Sequence, residues 1–510
     1  MTKPRFVVGP KALGDAFIGR KKEVDELGDA IYRGKGSVSL VGPTRIGKSS
    51  LVKTVLERNR DQENCIQIEV NMATRSSAYH FWSYIWKSLY TKLREAGVWN
   101  AYMEEDYIQF AGLTEEEDWY SRMSDFLPNI LCEMIDAGYR WVLVIDEFDA
   151  VSRVFGEKEW LYQFLRDIFA ESYKANGVVI SRQTIESLEN TNPSISTLHG
   201  VFDMRNLKGF SAKDMDEFYS ALSAYGIELT DSGKTCFKYY TGHIPYLCCM
   251  FASRMIEQRE QRSRYKAKDI VTVFSGLLPQ IEIYFQDLDS RLKKDGHWES
   301  LIHLCVGSPL VLKNERLKDA MMAMGYLDCE MVNGVDRYYA YSQDYMQHIL
   351  GQQLNLPIWD NIMAAERKLK SLFGKVYPAL ASATPAEDWF TEADQQRTEN
   401  SCPGFRFGGW DWIIRDCEKT AARKGTPATI LEAISLGPIV SAIVWDRNWN
   451  GRFSVFFRND FWKDRLRLIS AIRDPLAHNQ GHYITKEELV ACGTYCDELL
   501  KLDMGPDIHP

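Results

Sequence analysis

Eight consecutive residues near the N-terminus constrain the fold of this chain more than any other segment. They match the pattern G-x-x-x-x-G-K-[ST] at every fixed position, and they are Gly42, Pro43, Thr44, Arg45, Ile46, Gly47, Lys48 and Ser49. An apolar run from Val38 to Val41 precedes them, and an amphipathic stretch begins at Ser50. A glycine-rich turn between a strand and a helix presents backbone N–H groups and the helix dipole to an anion. The octet and Ser50 are therefore predicted to bind the phosphates of a nucleotide.

Four side chains in and beyond this loop have distinct expected roles. Lys48 would reach the β- and γ-phosphates, and the Ser49 hydroxyl would be a ligand of Mg²⁺. Farther along the chain, an apolar run from Trp141 to Ile145 ends in two acids, Asp146 and Glu147. We expect Asp146 to hold the Mg²⁺ ion through water and Glu147 to polarise the attacking water.

Short β-type runs alternate with amphipathic helical stretches in the N-terminal part of the chain. The predicted strands are Ser37 to Val41, Ile66 to Asn71, Trp141 to Asp146 and Gly177 to Ser181. Their largely β-branched or apolar composition suits strands buried on both faces of a parallel sheet with crossover helices. Arg182 directly follows the fourth run, a position that suits a sensor of the γ-phosphate. An ordinary surface arginine is the open alternative.

Four segments together resemble a STAND-type NTPase of the AAA-related class, a group of signal-transducing ATPases that switch between oligomeric states. They are FIGRKKEVDEL, which starts at Phe17, followed by GPTRIGKSS, LVIDEFD and VVISR. The resemblance covers roughly residues 14–350. It implies a helical lid from Asn206 onward and a winged helix after the lid. It also implies that four residues line an adenine pocket, namely Phe17, Ile18, Gly19 and Arg20.

The same resemblance directs attention to the stretch from Thr241 to Tyr246. Members of the family carry a Gly-x-Pro signature in the lid, often preceded by a second glycine. Here the stretch contains Gly242 and Pro245, and His243 stands where the family usually has glycine. The resemblance implies that Pro245 and His243 contact the β-phosphate. A simple helix start is the alternative.

A second motif lies near the C-terminus, where Arg473, Asp474 and His478 follow a helical run from Trp462 to Ile472. Residues five apart on an ideal helix point about 140° away from each other. Pro475 distorts the turn between Arg473 and His478, so a shared site is one possible outcome. His478 can act as acid or base near neutral pH, and Arg473 can hold phosphate oxygens bidentately.

This motif in an all-helical setting resembles the HEPN superfamily, whose active members are metal-independent ribonucleases. The resemblance covers about Pro357 to Leu502. It implies a catalytic set of Arg473, His478 and Asp474, with Asp474 where HEPN ribonucleases usually have asparagine. It also implies that two motifs face each other across a dimer, so the expected partners are an RNA substrate, tRNA among the candidates, and a second copy of the chain. Glu366 in the first helix of the domain is a candidate auxiliary polar residue.

The region around the second motif is locally basic. Residues 451–480 hold six basic and three acidic side chains, with Phe453, Phe456, Phe457, Phe461 and Trp462 among them. Such a mixture could bind RNA by charge and by stacking of bases on the aromatic rings. The alternative is that the aromatic side chains form a helix core and the arginines a solvated face.

Length and composition set the outer bounds. The 510 residues predict several domains, which we place at 1–205 (P-loop ATPase), 206–265 (helical lid), 266–356 (winged helix, with a hairpin turn at Asn333–Gly334) and 357–510 (helical effector). A net charge of -9 argues against sequence-blind coating of nucleic acid. The longest apolar stretch is too short to span a membrane, and eleven cysteines without a regular framework fit a reducing cytosol. A cytoplasmic location without a membrane partner is therefore expected.

The predicted architecture is an α/β P-loop NTPase of AAA-like type with a helical lid and a winged helix, followed by an all-α HEPN-like domain. The expected cofactors are ATP and Mg²⁺. We expect an ATP-dependent switch that controls a metal-independent RNA-cleaving effector, similar to prokaryotic antiviral, abortive-infection or toxin-like proteins and activated by a protein or phage-derived trigger. One alternative is a non-enzymatic regulator that binds DNA through its winged helix and uses the C-terminal domain only for dimerisation. Another is a toxin neutralised by a partner protein.

Overall fold

The computed structural model describes most of the chain in thirteen stretches. These are residues 5–33, 36–59, 64–115, 118–170, 176–192, 198, 200–308, 314–332, 335–352, 358–378, 410–424, 428–477 and 484–504. The chain divides into two compact units. The first comprises Met1–Arg291, Lys318–Asp328 and Ala340–Tyr345, and the second comprises Leu292–Leu317, Cys329–Tyr339 and Met346–Pro510.

A five-stranded parallel sheet organises the first unit. In chain order its strands are β1 (Ser37–Val41), β2 (Cys65–Asn71), β3 (Arg140–Asp146), β4 (Asn176–Ser181) and β5 (Phe202–Asn206). Their spatial order is β2-β3-β4-β1-β5. All residues of β1 and β4 are buried, as is most of β3, which explains why they are largely β-branched or apolar. This confirms the four predicted strands and the parallel α/β class.

The fifth strand was not predicted. In β5 only Phe202 is buried, while Asp203, Met204 and Asn206 are exposed. The strand lies at one edge of the sheet and pairs with β1 alone, from Ser37 opposite Phe202 to Val41 opposite Asn206. A polar edge strand lacks the apolar run that identifies a central strand, so the sequence pattern does not reveal it.

The topology brings distant parts of the chain to one edge of the sheet. Parallel strands end on the same side, and β4 lies between β1 and β3. The octet follows β1, Asp146 is the last residue of β3, and Arg182 comes directly after β4. Ligands of open α/β sheets bind at this carboxyl edge. The sheet therefore places the three predicted elements of the nucleotide site side by side.

Helices supply the remainder of the first unit and the start of the second. They are α1 (Lys21–Tyr32), α2 (Lys48–Arg58), α3 (Ala78–Glu95), α4 (Ala101–Ala111), α5 (Trp119–Asp136), α6 (Val151–Phe155), α7 (Glu159–Ala170), α8 (Ile185–Thr191), α9 (Ala212–Ser223), α10 (Asp231–Thr241), α11 (Pro245–Glu257), α12 (Ala267–Lys294), α13 (Trp298–Cys305), α14 (Glu315–Ala323) and α15 (Gln343–Gln352). Two short strands, β6 (Glu228–Leu229) and β7 (Arg264–Tyr265), pair in parallel. The predicted change to a helical pattern near Asn206 is confirmed. β8 (Leu327–Val332) and β9 (Val335–Ala340) form a two-stranded sheet, as the predicted hairpin requires, and its predicted turn residues Asn333 and Gly334 lie outside the described residues.

The described elements of the C-terminal part are all helices. Its helices are α16 (Ile358–Val376), α17 (Trp410–Lys424), α18 (Ile430–Ala433), α19 (Leu436–Val444), α20 (Asp446–Asn448), α21 (Ser454–Phe457), α22 (Trp462–Ala477) and α23 (Lys486–Lys501). α16 packs on α23, and α22 packs on both α19 and α23. Pro475 lies inside α22, which continues for two more residues. Among the described residues, no helix is long and apolar enough to cross a bilayer.

An aromatic-rich core stabilises the first unit beneath the sheet. Trp82 of α3 is fully buried, and its ring makes edge contacts with Phe81 and Phe164 at centroid distances of 5.1 Å. Tyr84, two residues farther along the same helix, is 37% exposed. Substitutions at these two positions therefore distinguish the effect of losing a buried side chain from the effect of a change in helix propensity.

We predict that Trp82→Ala lowers the free energy of unfolding by about 3–5 kcal/mol, because truncation of a buried aromatic side chain leaves a cavity. Tyr84→Ala is the matched control and should cost less than about 1 kcal/mol. Urea titration followed by circular dichroism measures both. Equal losses in the two variants would show that Trp82 is not part of the core.

Candidate functional site

The octet forms a tight loop between β1 and α2. Gly47 precedes α2 with φ +98°, and Arg45 adopts φ +63°, which is uncommon for a residue with a side chain. Gly47, the residue before α2, has no side chain that could cap the N-terminus of this helix. The first N–H groups of a helix have no partner within the helix, so they can bind an anion. Thr44 Oγ1 is also buried, and it has no hydrogen-bond partner in the described part of the chain.

Lys48 is the central cation of the loop. Its ammonium donates to the carbonyl oxygens of Gly42 at 2.6 Å and Pro43 at 2.9 Å. Burial lowers the pKa of Lys48 to about 8, although the carboxylates of Asp149, Glu147 and Asp146 oppose this shift. A buried ammonium held by neutral carbonyls can exchange them for phosphate oxygens, which are stronger partners for a cation.

Ser49 and Asp146 form a pair of oxygen ligands suited to Mg²⁺. The Ser49 hydroxyl donates to Asp146 Oδ2 at 2.9 Å, and the Lys11 ammonium lies 3.5 Å from the same carboxylate oxygen. No cluster of three or more His, Cys, Asp or Glu side chains that could hold a metal occurs in the described stretches. Mg²⁺ usually takes only one or two carboxylates and completes its shell with water and phosphates. The hydroxyl of Ser49 and the carboxylate of Asp146 fit this coordination preference.

Glu147 follows this pair in an unusual backbone conformation. Its φ is +55°, and its N–H donates to Asp146 Oδ1 at 3.0 Å. Left-handed residues other than glycine cost free energy and cluster at functional sites. The side chain is exposed and lines the cleft in front of the loop. A carboxylate in this place is available to water, as the predicted role requires.

Arg182 is held by an acid that the sequence analysis did not single out. Asp149 accepts the backbone N–H of Arg182 at both of its oxygens, at 3.1 and 3.0 Å, and the N–H of Gln183 at 3.2 Å. The Arg182 Nε also lies 3.5 Å from Asp149 Oδ2. Asp149 therefore fixes the end of β4 beside the loop. Its signal in the sequence was the third acid of LVIDEFD.

Three of the four residues from Phe17 to Arg20 line the cleft, and Gly19 packs against Asp214 instead. Phe17, Ile18 and Arg20 line the cleft. Gly19 has φ +71°, and a Cβ there would come within 2.7 Å of Asp214 Oδ1, so this position requires glycine.

Arg20 connects the loop to later segments of the chain. The guanidinium of Arg20 is buried and donates to the carbonyls of Ile46 at 3.1 Å and Lys208 at 2.7 Å. The backbone N–H of Arg20 donates to Asp214 Oδ1 at 2.5 Å. Burial lowers the pKa of Arg20 to about 10, and the carboxylates of Glu23 and Asp214 oppose this shift. The side chain therefore stays charged near neutral pH and ties the octet to the segment that starts at Asn206.

Pro245 and His243 are separated by the geometry of the lid. Pro245 is the first residue of α11 and lines the cleft. His243 has φ +58°, its N–H donates to Thr241 Oγ1 at 3.2 Å, and its carbonyl accepts from Phe210 at 2.8 Å. Burial lowers the pKa of His243 to about 4, so the ring is neutral near pH 7. His243 is not among the described residues that line the cleft, and its contacts are those of a helix start.

The cleft is lined by both apolar and charged side chains. Its volume is about 1130 Å³ with the space open to solvent included. The apolar lining residues include Val7, Ala16, Phe17, Ile18, Phe210 and Phe218. The polar and charged ones include Lys48, Ser49, Asp146, Glu147 and Arg182. Ligand pockets of this kind combine an apolar wall with a few convergent polar groups, which suits a base joined to phosphates.

The N-terminal segment before Phe17 is a part of the cleft that the motifs did not reveal. Val7 and residues 9–12 contribute to its lining, and the backbone N–H of Ala12 donates to the Ser50 hydroxyl at 3.0 Å. Tyr246 is another unpredicted lining residue. The segment near Lys11 is short and has no periodic pattern. Only its position beside the loop in the structure identifies it as part of the cleft.

The second predicted site is described only in part. Arg473 lies in α22 with its Nε 3.6 Å from Glu366 Oε2 of α16, and Lys370 Nζ lies 3.3 Å from Glu366 Oε1. Glu366 is 6% exposed. The backbone of Asp474 belongs to the same helix. His478 lies outside the described residues, so the geometry between Arg473 and His478 stays a prediction.

The proposed stacking surface of the C-terminal part is wrong for three of its five aromatic residues. Phe453, Phe457 and Trp462 are fully buried in the helix core, so bases cannot stack on them. The basic side chains are also engaged within the chain. Lys463 lies 2.9 Å from Asp446, Arg467 lies 2.7 Å from Asp464, and Arg465 donates to the carbonyl of Gly307 at 2.7 Å.

Comparisons with known proteins agree with the P-loop geometry. Residues 16–167 match the family model of the AAA ATPase domain. A search of curated proteins finds no match. The chain thus contains a P-loop ATPase domain of the AAA type.

Solved structures show weaker likeness. The chain is similar to a Walker-type ATPase of Pyrococcus abyssi, with 11% identity over 68% of this chain and 99% of that chain and a TM-score of 0.41. It is similar to the Orc1 protein of Aeropyrum pernix, solved in complex with DNA, with 15% identity over 68% and 96% of the chains and a TM-score of 0.37. It is also similar to the Thermotoga maritima RuvB branch migration motor, with 15% identity over 67% and 97% and a TM-score of 0.29. Likeness at this level does not carry over their activities.

The lowered pKa of Lys48 predicts a pH dependence of nucleotide binding. A bound polyphosphate favours the charged ammonium, so binding takes up a proton wherever free Lys48 is neutral. Because the pKa is about 8, the affinity for ATP should fall about tenfold between pH 7 and pH 9. Fluorescence titration with a labelled ATP measures this.

Lys48→Arg is the control for this titration, since arginine keeps its charge over the whole range. Its affinity at pH 7 can differ from that of the wild type, but it should change little up to pH 9. A wild-type affinity that stays constant over the same range would contradict the assignment.

Proposed function

We propose that the AAA ATPase domain binds ATP with Mg²⁺ in the cleft at the carboxyl edge of β1, β3 and β4, hydrolyses it, and thereby switches the state of the chain. The observation that carries the proposal is the hydrogen bond of 2.9 Å between Ser49 Oγ and Asp146 Oδ2. It joins the loop after β1 to the end of β3, the two places from which a P-loop ATPase takes its metal ligands.

Each residue of the cleft has a role that follows from its contacts. Lys48 would leave the carbonyls of Gly42 and Pro43 and hold phosphate oxygens. Mg²⁺, when bound at Ser49 and Asp146, would neutralise phosphate charge and stabilise the leaving group. Glu147 would orient a water and accept its proton. Arg182, positioned by Asp149, would contact the terminal phosphate.

We predict that Lys48→Ala weakens ATP binding by at least about tenfold, because a charge-assisted contact to the phosphates is lost. Glu147→Gln should bind ATP as the wild type does and hydrolyse it about 10² to 10⁴ times more slowly, the usual effect of losing a general base. Titration with labelled ATP and phosphate release measure the two steps.

Lys53→Ala is the matched control for Lys48→Ala. Lys53 lies on the same helix, its ammonium is 2.5 Å from Glu69, and it is not among the described residues that line the cleft. The variant should keep both binding and hydrolysis. Normal phosphate release by Glu147→Gln would refute the role of Glu147.

For the C-terminal helical part we propose a second activity, metal-independent RNA cleavage across a dimer of two such domains. Its support is Arg473, whose guanidinium lies beside the buried carboxylate of Glu366. A guanidinium in a fixed orientation can stabilise the charge that develops on a phosphate. One His478 would take the proton of the 2′-hydroxyl, and the His478 of the second copy would protonate the leaving 5′-oxygen. The ATP state would set whether the two domains meet.

This proposal makes a prediction about products. RNA cut by the full chain should carry a 2′,3′-cyclic phosphate and a 5′-hydroxyl, because the 2′-oxygen displaces the 5′-oxygen. Arg473→Ala and His478→Ala should each reduce cutting by about 10² to 10⁴. EDTA added after the ATP state is set should leave the cutting step unaffected.

Arg467→Ala is the control, because Arg467 is an exposed residue of the same helix and pairs with Asp464 at 2.7 Å. It should cut RNA like the wild type. Undiminished cutting by His478→Ala would reject the site. Absence of any RNA cleavage would favour the alternative of a DNA-binding regulator whose helical domain only dimerises.

A further inference from the structure

One carbonyl of the phosphate loop is bound by two tyrosines from distant parts of the chain. The carbonyl oxygen of Thr44 accepts from the Tyr284 hydroxyl at 3.3 Å and from the Tyr341 hydroxyl at 3.2 Å. Tyr284 lies on α12, and Tyr341 directly follows β9. Neither segment belongs to the parallel sheet, and neither residue contributes to a motif.

The two hydroxyls also contact each other, which limits how their protons are arranged. Each tyrosine has one hydroxyl proton, so the pair cannot fill three hydrogen bonds at once. Either both protons go to Thr44, or one hydroxyl donates to the other and the second donates to Thr44. In every arrangement, at least one proton reaches the Thr44 carbonyl.

The tyrosines are held firmly in place. Both side chains are buried, and burial raises the pKa of each hydroxyl, so both remain protonated donors. Tyr341 has φ +45°, a costly conformation for a residue with a side chain, and its N–H donates to the carbonyl of Tyr326 at 3.2 Å. A Cβ on Gly242 would come within 2.3 Å of the Tyr341 carbonyl, so the lid packs closely on this residue.

The neighbouring loop residues are fixed from the same side. The Arg45 guanidinium lies 4.3 Å from the centre of the Tyr246 ring, and that ring lies 4.9 Å from the ring of Tyr284. A Cβ on Gly325 would come within 2.8 Å of Pro43. Together with the tyrosine pair, these contacts pack the loop against four segments that follow the sheet in the sequence.

This contact determines the orientation of a peptide group. In a trans peptide, the C=O and the N–H of the same group point in opposite directions. The tyrosines hold the Thr44 carbonyl, so the N–H of Arg45 in the same peptide points away from them. Thr44 and Arg45 both line the cleft. We propose that Tyr284 and Tyr341 are positioning residues that keep the Arg45 N–H turned toward the phosphates of a bound nucleotide.

This inference rests on the proposed binding of ATP and makes it more specific. If the peptide were free to rotate, it could turn its carbonyl into the cleft, where an oxygen would repel a phosphate. Because either tyrosine alone can still supply a proton, loss of one hydroxyl should have a small effect. Loss of both should have an effect larger than the product of the two single losses.

The test compares the wild type with Tyr284→Phe, Tyr341→Phe and the double variant, all in the full chain. Phenylalanine keeps the ring and removes only the hydroxyl. We expect each single variant to bind labelled ATP about two- to threefold more weakly, and the double variant at least about tenfold more weakly. Thermal unfolding of each variant, with and without ATP, is recorded in parallel.

Tyr345→Phe is the matched control. Tyr345 is buried in the same aromatic cluster, with its ring 5.9 Å from that of Tyr341, but its hydroxyl donates to Asp289 at 2.8 Å. This variant should lower the unfolding temperature and leave ATP affinity within about twofold of the wild type. A purely structural role of the tyrosines would instead make all these variants lose affinity in proportion to their loss of stability.

The outcomes separate the two proposals. If the wild type binds no ATP, both the proposed function and this inference fail. If the wild type binds ATP and the folded double variant binds it equally well or more tightly, only the positioning role is overturned. Should the double variant not fold, the single variants decide, and unchanged affinity in both overturns the role.

Discussion

The burial of Lys48 is the constraint on which the nucleotide site depends. A buried ammonium is costly unless it is paired, and in this chain its partners are two loop carbonyls together with the field of three carboxylates. Those carboxylates come from one short segment at the end of β3. The parallel sheet places that segment beside the loop. The order of the strands therefore determines which carboxylates balance the charge of Lys48.

Residues that lie before and after the loop in the chain also fix its backbone. Arg20 binds the carbonyls of Ile46 and Lys208, and the tyrosine pair binds the carbonyl of Thr44. A loop that must present bare N–H groups cannot satisfy its own carbonyls in the usual way, since its backbone forms neither a helix nor a strand. Donors from Tyr284, Tyr341 and Arg20 supply those missing partners. Segments from both before and after the loop thus complete the site.

Much of this could be predicted from the sequence, and the failures have physical causes. The octet and the apolar runs ending in Asp146 and Ser181 were sufficient, because central strands and glycine-rich turns leave strong local patterns. β5 was missed because an edge strand can be polar. Asp149 and the tyrosine pair were missed because their roles arise from contacts between residues far apart in the sequence. Their neighbouring residues do not distinguish them from other acids or from other aromatic residues of the core. The same limitation explains the buried rings of Phe453, Phe457 and Trp462, which by composition suited a stacking surface equally well.

These constraints decide which parts of the site can respond to a ligand. The Thr44 carbonyl is bound by two tyrosine hydroxyls from outside the loop. Lys48 differs, because its side chain can exchange its two carbonyl partners for phosphate oxygens. When it does so, the charge balance with Asp149 changes, and Asp149 binds the backbone of Arg182 and Gln183 at the end of β4. Asp149 therefore connects the charge on Lys48 with the backbone at the end of β4, while Arg20 and the two tyrosines bind carbonyls of the loop.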